Sequence, residues 1–400
     1  MQDAQALVRE TTGGGVLEAL SAEGCGFGAS PLTRRRPVPA VCVRAAARLD
    51  FGGGWTDVPP YSVERGGTVL NAAVTLRGQY PIEVDCVRLP EPRLVLECAD
   101  THRTVELRFA GDVLGYADPA DPFALPKAAL VLCGVVPDTA DPSAPLADLL
   151  PDGRGFALST RTSIPPGSGL GTSSIMAGAV LTGLARVTGR PLSTKRLFHE
   201  VLCLDQMLAA GGGWQDQVGG LTGGIKLVTS SPGLPQCLHT ERAELTAAAR
   251  AQLDERLVLV YTGQQSLAKD LVRAAMSRLM AREQEMAWIM AEVARLARCM
   301  RDLLERGDMD GFGCLLADHW DLSKLMDPAC TDPFIDELFG AMAPFISGGK
   351  LAGAGGGGFA LVIAREGARA ALLRALERRF GGTPVAVWEC KIPEEAVIVE

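Results

Sequence analysis

Three glycine-rich stretches, far apart in the chain, constrain the fold more than any other feature of this sequence. They occupy residues 165–174 (PPGSGLGTSS), 211–217 (GGGWQDQ) and 350–358 (KLAGAGGGG). The first leads directly into an apolar run from Ile175 that predicts a helix. Glycine lets backbone N–H groups approach an anion closely, and a helix N-terminus supplies about half a positive charge. We therefore predict that the first stretch binds phosphate groups.

The composition predicts a large globular chain without a nucleic-acid surface. Of its 400 residues, 47% are hydrophobic, and the formal net charge is −8. This length predicts two domains or one large domain. Nucleic-acid surfaces need an excess of positive charge, so we interpret the one basic run, at residues 34–36, as a solvated linker.

Cysteine usage and the lack of targeting signals predict a cytoplasmic protein. The 11 cysteines include no C-x-x-C pair, which favours reduced thiols over a disulfide framework or a zinc site. The N-terminus has no basic region followed by an apolar core. The apolar run at residues 128–136 is shorter than the ~20 residues that a membrane helix requires, so no membrane contact is expected.

Short apolar runs predict a strand-rich first part with one or two helices laid on it. The predicted strands there are 41–47, 69–76, 82–87, 94–98, 105–109 and 156–160. Residues 138–151, rich in Asp and Pro, predict a loop. Further along, residues 264–306 contain neither Gly nor Pro, which predicts one long or two consecutive helices. Strands at 257–261, 359–363 and 385–390 and a helix at 368–380 complete the prediction.

Asp205 is the most informative single residue, because its carboxylate falls in an apolar stripe. In the helix predicted over 194–208, the spacing of Phe198, Val201, Leu202 and Leu208 places Asp205 at the centre of that stripe. An unpaired buried carboxylate costs several kcal/mol, so a partner is expected. A magnesium ion is one candidate, since it binds one or two carboxylates together with substrate phosphates. A buried salt bridge and exposure at the helix end are the alternatives.

Asp216 is a second candidate, in a stretch with little side-chain bulk. Residues 211–224 contain seven glycines around this one acid. Such a segment favours close approach of a ligand, with the carboxylate directed at it. An aspartate in a tight turn is the alternative interpretation.

Several other motifs are incomplete. Residues 50–52 (DFG) lack the remaining parts of a protein-kinase site, and the segment before Lys350 breaks the P-loop pattern. The glycines at 167, 169 and 171 do not have the spacing of a dinucleotide-binding turn. We interpret the four histidines as structural: His102, His199, His239 and His319.

The glycine stretches, in this order, resemble the motifs of the GHMP small-molecule kinase superfamily. The phosphate loop of that superfamily resembles residues 165–174, its third motif resembles residues 353–358, and its first motif resembles residues 47–57 (ARLDFGGGWTD). The resemblance covers residues 40–400. It implies an α+β fold of two domains, an N-terminal domain like ribosomal protein S5 domain 2 and a ferredoxin-like C-terminal domain. We expect a leader or linker at 1–38, the ATP-binding domain at 39–230 and the C-terminal domain at 231–400.

The resemblance also implies roles for individual residues. Asp216 matches the catalytic aspartate that accepts or orients the proton of the attacking hydroxyl, and Arg48 matches the basic residue near the transferred phosphate. Ser173 and Asp205 match the magnesium ligands, although aspartate here replaces the common glutamate. The residues implied to hold the ATP phosphates are Pro166, Gly167, Ser168, Gly169, Leu170, Gly171, Thr172, Ser173 and Ser174.

The sugar-contacting residues and the substrate are implied in the same way. Contacts to the sugar fall to Asp57, Trp55, Asp216, Gly355 and Gly356, with Trp55 as a stacking face where galactokinase-like members have a histidine. The motifs are most similar to those of L-fucokinase kinase domains, which implies transfer from ATP to the anomeric hydroxyl of L-fucose.

Alternatives to this substrate and activity stay open. The next most similar group phosphorylates heptose 7-phosphate. A catalytically silent sugar or nucleotide sensor on the same fold is a third hypothesis. The resemblance further implies a nucleotidyltransferase as an upstream domain or a separate partner in the same pathway.

Overall fold

A computed structural model of the chain describes residues 36–209, 211–234, 236–266 and 275–400. Most of the predicted leader, and Leu271 of the predicted helix at 264–306, lie outside these residues. Described elements occur as runs of strands and runs of helices along the chain. The expected α+β organisation is thus confirmed.

The strands follow the predicted runs closely in the first part of the chain. In chain order they are β1 (Ala40–Ala45), β2 (Ala47–Gly52), β3 (Thr68–Leu76), β4 (Ile82–Leu89), β5 (Leu94–Cys98), β6 (Arg103–Leu107), β7 (Gly155–Thr162), β8 (Ile225–Ser230), β9 (Leu238–Arg242), β10 (Leu257–Tyr261), β11 (Ile346–Leu351), β12 (Phe359–Ala364), β13 (Ala386–Trp388), β14 (Cys390–Lys391) and β15 (Val397–Val399). The strand predicted at 385–390 is wrong as one unit, because β13 and β14 join different sheets.

The helices are more numerous than predicted in the first part of the chain. They are α1 (Tyr61–Arg65), α2 (Ala110–Leu114), α3 (Ala124–Leu132), α4 (Leu146–Leu149), α5 (Thr172–Thr188), α6 (Thr194–Met207), α7 (Gln215–Leu221), α8 (Ala247–Arg256), α9 (Gln284–Arg306), α10 (Met309–Met326), α11 (Pro333–Met342) and α12 (Arg369–Phe380). Residues 275–280 are also helical, so the described part of the predicted 264–306 helix is broken at 281–283.

Local sequence accounts for where the long helices begin and end. Gly171 precedes α5 with φ +74°, and Gly189 follows it with φ +70°. Gly307 ends α9 with φ +76°, and its N–H donates to the carbonyls of Leu303 and Leu304. Glycine adopts this left-handed conformation without the penalty that a side chain incurs. The apolar stripe of α9 is buried as predicted.

Three sheets organise the described residues. One has the order β15-β1-β4-β7-β5-β6, a second has the order β14-β3-β8-β9 with β2 also paired to β3, and a third has the order β11-β12-β10-β13. Helix α5 packs on β1 and β4 of the first sheet, α9 contacts β2 and β3 of the second, and α10 contacts β11 of the third. The first glycine stretch follows β7 of the first sheet, the second lies between α6 and α7, and the third joins β11 to β12 of the third sheet.

Strands from the second half of the chain join sheets of the first half. β9 pairs with β8, β14 pairs with β3, and β15 pairs with β1. The division at residue 230 stays a prediction, and these pairings cross it. One hydrophobic core likewise includes residues from β2 and β3 together with residues from α9 and α10.

The described cysteines differ in one respect from the expectation of reduced thiols. Nine are free, but Cys237 is disulfide-bonded, so the prediction is wrong for that residue. Within the ranges described above, every helix is too short or too polar to cross a membrane.

Candidate active site

The glycine loop before α5 exposes backbone donors where a phosphate loop is expected. Gly167, Gly169 and Gly171 have φ values of +65°, +74° and +74°. The backbone N–H groups of Gly169 and Gly171 have no acceptor among the described residues. Buried Leu170 anchors the loop, with its carbonyl accepting from the N–H of Arg48 at 3.1 Å. Unpaired N–H groups at a helix N-terminus favour an anionic ligand.

The third glycine stretch packs directly against this loop. The N–H of Phe359 donates to the carbonyl of Ser168 at 3.1 Å. A Cβ atom on Gly169 would lie 2.4 Å from the carbonyl oxygen of Ala352, and one on Gly358 would lie 2.4 Å from that of Ser168. Backbone therefore meets backbone across the two stretches, which explains why both need glycine.

Gly169→Ala is expected to destabilise the protein by about 1–3 kcal/mol more than Gly78→Ala, because an added methyl group must displace the Ala352 carbonyl. Gly78 has the same left-handed backbone, φ +75°, with nothing within 4 Å of an added Cβ. It therefore isolates the conformational penalty from the clash. Urea unfolding of the two variants measures the difference, and equal losses of stability would contradict the packing described here.

Arg48 joins the first predicted motif to the second glycine stretch. Nε and Nη2 of Arg48 both donate to Oδ1 of Asp216, at 2.8 and 2.7 Å. Nη1 of Arg48 donates to the carbonyl of Gly169 at 2.8 Å. Burial alone would lower the pKa of Arg48, but the carboxylate of Asp216 outweighs it and raises that pKa. Both donors use Oδ1, so Oδ2 of Asp216, in a side chain 29% exposed, is left for a ligand.

Asp57 is fully buried and contacts Gln215, the residue before Asp216. Its Oδ2 accepts from the N–H of Gln215 at 3.2 Å, and its Oδ1 accepts from Nε2 of the same residue at 3.0 Å. A Cβ atom on Gly213 would lie 2.1 Å from Oδ2 of Asp57. Burial, followed by the charge of Asp216, raises the pKa of Asp57 to about 7.

Asp57→Asn is expected to gain stability relative to the wild type as the pH rises. The folded-state pKa of Asp57 lies above its ordinary value of 3.8, so its ionisation opposes folding above about pH 4, fully so above about pH 7. The difference in unfolding free energy should move in favour of the variant by a few kcal/mol between these limits. Urea unfolding at pH 5 to 8, with Asp138→Asn at an exposed site as control, measures it. A pH-independent difference would be the contrary result.

Asp205 is buried and is held by the helix that follows the glycine loop. The Ser174 hydroxyl donates to Oδ2 of Asp205 at 2.8 Å, and Asp205 is only 2% exposed. Burial raises the pKa of Asp205 to about 7, although the Ser174 hydrogen bond lowers it. Of the alternatives considered from the sequence, exposure at the helix end is wrong, and no ion pair to Asp205 is found within the described ranges.

The other predicted residues are placed differently. Ser173 is exposed, beside buried Ser174. Trp55 is only 5% exposed and packs in the core, which does not favour the predicted stacking face. The carbonyl of Gly355 accepts from the Ser266 hydroxyl, and the N–H of Gly356 donates to the carbonyl of Cys330. Their predicted sugar contacts remain predictions.

Two buried lysines support the site and were not identified from the sequence. Nζ of Lys350 lies 2.8 Å from Oδ2 of Asp50, with both side chains almost fully buried beneath the first motif. Burial opposes ionisation of Asp50, yet Lys350 outweighs it and lowers the pKa of Asp50. Nζ of Lys226 donates to the carbonyls of Gly219 and Thr222, at the C-terminal end of α7. A lone charged residue in each apolar strand was the available signal.

His319 is structural, as predicted. Its Nε2 accepts from the N–H of Gly53 at 3.1 Å, and burial lowers the pKa of His319 to about 3. The neutral ring therefore holds the turn of the first motif.

Two family models match this chain in the expected order. GHMP kinases N terminal domain matches residues 143–224, and GHMP kinases C terminal matches residues 300–382. These segments contain the glycine loop, Asp205, Asp216 and the third glycine stretch. The chain belongs to the GHMP kinases.

Among its relatives is the bifunctional fucokinase/GDP-fucose pyrophosphorylase of Arabidopsis thaliana, 36% identical over 83% of this chain and 30% of the relative. The D-glycero-alpha-D-manno-heptose 7-phosphate kinase of Campylobacter jejuni is 25% identical over 84% of this chain and 92% of the relative. The chain spans about a third of the length of the bifunctional relatives it matches.

A solved structure shares the fold. The D-glycero-D-manno-heptose 1-phosphate kinase of Bacteroides thetaiotaomicron superposes with a TM-score of 0.67 at 20% identity, covering 90% of this chain and 98% of that chain. The expected two-domain GHMP kinase architecture is confirmed by this likeness and the two family models.

Proposed function

We propose that this chain is a sugar kinase that transfers the γ-phosphoryl group of ATP to the anomeric hydroxyl of L-fucose, giving L-fucose 1-phosphate and ADP. The observation that carries the proposal is the Arg48 bridge, which ties Oδ1 of Asp216 to the glycine loop and leaves Oδ2 of that carboxylate for a ligand. The name of the Arabidopsis relative supports the choice of sugar.

The proposed roles follow from charge and position. N–H groups of residues 167–173 hold the phosphates, and Arg48 stabilises the group in transfer. Oδ2 of Asp216 orients the sugar hydroxyl and accepts its proton as the new P–O bond forms and the bond to ADP breaks. Phosphoryl transfer depends mainly on such positioning and charge neutralisation.

The residues around Asp205 fit a magnesium ion. Asp205 is buried, no charged Lys or Arg among the described residues contributes to its raised pKa, and the exposed Ser173 lies in the first turn of α5. No cluster of three or more acidic, Cys or His side chains able to hold a metal occurs in the part of the chain described. Magnesium is commonly held by one or two carboxylates together with substrate phosphates, so Asp205 and the Ser173 hydroxyl would be its protein ligands. When bound, the ion would neutralise charge on the phosphate oxygens.

Ser174→Ala is expected to weaken magnesium-dependent nucleotide binding by about tenfold, because the hydroxyl that fixes Oδ2 of Asp205 is lost. Calorimetric titration of a non-hydrolysable ATP analogue, with and without Mg²⁺, measures this without turnover. Thr182→Ala, which removes a hydroxyl bonded only within α5, is the matched control. Unchanged magnesium dependence in Ser174→Ala would remove Ser174 from the site.

The substrate is tested with purified protein, ATP and Mg²⁺ against a panel of L-fucose, D-galactose and heptose 7-phosphate. Sugar-dependent ADP release and ³¹P NMR of the product identify both the acceptor and the phosphorylated position. Phosphorylation of L-fucose at the anomeric oxygen is the expected result. Preference for heptose 7-phosphate would favour the second candidate, which the Campylobacter relative supports along nearly its whole length. If ATP consumption does not depend on any sugar, the catalytically silent sensor would be favoured.

The proposal also covers the reaction that consumes the product and the cellular location of the protein. L-fucose 1-phosphate would be consumed by a nucleotidyltransferase, in line with the second activity in the name of the Arabidopsis relative. A cytoplasmic location is proposed because ATP is the phosphate donor, and the nine free thiols agree with it.

A further inference from the structure

A cleft of about 270 Å³ lies at the start of β3, and neither Arg48 nor the glycine loop lines it. It is bounded by α1, the start of β3, the end of β8 and one face of α9. Its polar lining includes Tyr61, Arg65, Thr68, Ser230 and Arg298, and none of the described residues that line it carries a carboxylate. Ala291 and Ala294 on α9 add little bulk to the wall. The cleft is therefore open, polar and positively charged.

The two arginines of this cleft have no ion-pair partner among the described residues, unlike their neighbours on α9. Arg295 pairs with Glu292, and Arg301 pairs with Glu241. Arg298 instead donates through NH2 to the hydroxyl of Thr68 at 2.7 Å, which fixes its direction. In a chain with a net charge of −8, two unneutralised guanidinium groups in one cleft favour an anion.

Both arginines line the same cleft as Tyr61. Burial raises the pKa of Tyr61, while the charges of Arg65 and Arg298 each act to lower it. Two forked cationic donors and a phenolic O–H around one space suit a tetrahedral, doubly charged group, since arginine binds phosphate through several parallel hydrogen bonds.

We propose that this cleft is a second anion site, separate from the ATP phosphate loop, that binds a phosphate group either as inorganic phosphate or as part of a phosphomonoester. The cleft also contacts the first motif. The N–H of Thr68 donates to the Thr56 hydroxyl at 2.9 Å, and that hydroxyl donates to the carbonyls of Gly53 and Thr68. Thr68, which lines the cleft, therefore contacts Thr56, the residue that precedes Asp57 in the chain.

Isothermal titration with inorganic phosphate tests the site in the 400-residue chain saturated with a non-hydrolysable ATP analogue and Mg²⁺, so that the phosphate loop, including its γ-phosphate position, is already filled. Ionic strength is held constant with NaCl, and a parallel titration with phenyl phosphate, a phosphomonoester that is not the proposed product, distinguishes free phosphate from a phosphomonoester. Arg65→Gln and Arg298→Gln are each expected to weaken binding about tenfold or more, as the loss of a charge-assisted hydrogen bond predicts. Arg295→Gln, one turn away and paired with Glu292, should bind as the wild type does.

The variants that lose phosphate binding decide between the possible outcomes. Loss of binding in both cleft variants but not in Arg295→Gln, with unchanged thermal unfolding in the absence of phosphate, supports the site. Absence of saturable binding of both inorganic phosphate and phenyl phosphate by the nucleotide-saturated wild type, or equal binding by the Arg65→Gln/Arg298→Gln double variant, overturns it. Because no turnover is measured, either result stands whether or not the proposed kinase activity is found.

Discussion

Asp216→Asn is expected to lower kcat for sugar phosphorylation by about 10²- to 10⁴-fold, the range that a positioned proton acceptor contributes. Asparagine keeps the shape of the side chain and can still accept a hydrogen bond from Arg48 through its carbonyl oxygen. It cannot take a proton from a substrate hydroxyl. The KM for ATP should change much less than kcat, since the phosphates are held by the glycine loop.

Steady-state kinetics and thermal unfolding measure this effect together. Asp254→Asn is the matched control, because it makes the same chemical change in an ion pair with Arg250 on the exposed face of α8. That control should keep full activity. An Asp216→Asn protein that remains folded and turns over at the wild-type rate would show that Asp216 is not the proton acceptor.

Lys350→Met is expected to lower the free energy of unfolding by about 3–5 kcal/mol, because it leaves the buried carboxylate of Asp50 without its cation. The two charged groups are 2.8 Å apart, and their side chains are 1% and 2% exposed. Nζ of Lys350 also donates to the backbone carbonyl of Asp50 at 3.0 Å. The substitution therefore removes both interactions beneath the first motif.

Urea unfolding of Lys350→Met and of Lys324→Met separates burial from pairing. Lys324 pairs with Asp321 on the surface of α10, at 2.7 Å, and an exposed pair contributes about 0–1 kcal/mol. The double variant Asp50→Leu/Lys350→Met should lose less stability than Lys350→Met alone, since no unpaired charge remains. Equal losses in Lys350→Met and Lys324→Met would mean that the buried pair has no special role.

The convergence of the glycine stretches could be predicted because glycine is required where backbones meet. The positions of Gly169 and Gly358 leave no room for a Cβ atom, and this requirement is visible in the sequence as glycine in a fixed order. Asp205 could be identified in the same way, since a carboxylate in an apolar helical stripe needs a partner. Such signals depend on one residue and its local pattern.

Pairwise contacts between distant side chains had no such signal. Successive residues of a helix point about 100° apart, so which of two neighbouring hydroxyls meets Asp205 depends on the rotation of α5 against α6. Ser174 makes that contact, and Ser173 does not. The pairing of β15 with β1 was equally hidden, because three residues near the C-terminal end of the chain carry no local indication of a partner about 350 positions away.

The return of β14 and β15 to the first two sheets gives the chain two covalent crossings to the third sheet. One runs from β9 to β10 through α8, and the other joins β13 to β14 through Glu389. One hydrophobic core contains Leu70 of β3, Leu259 of β10 and Leu361 of β12. The second and third sheets are therefore held together by shared packing as well as by the two covalent crossings, so a substitution in this core should destabilise both sheets together.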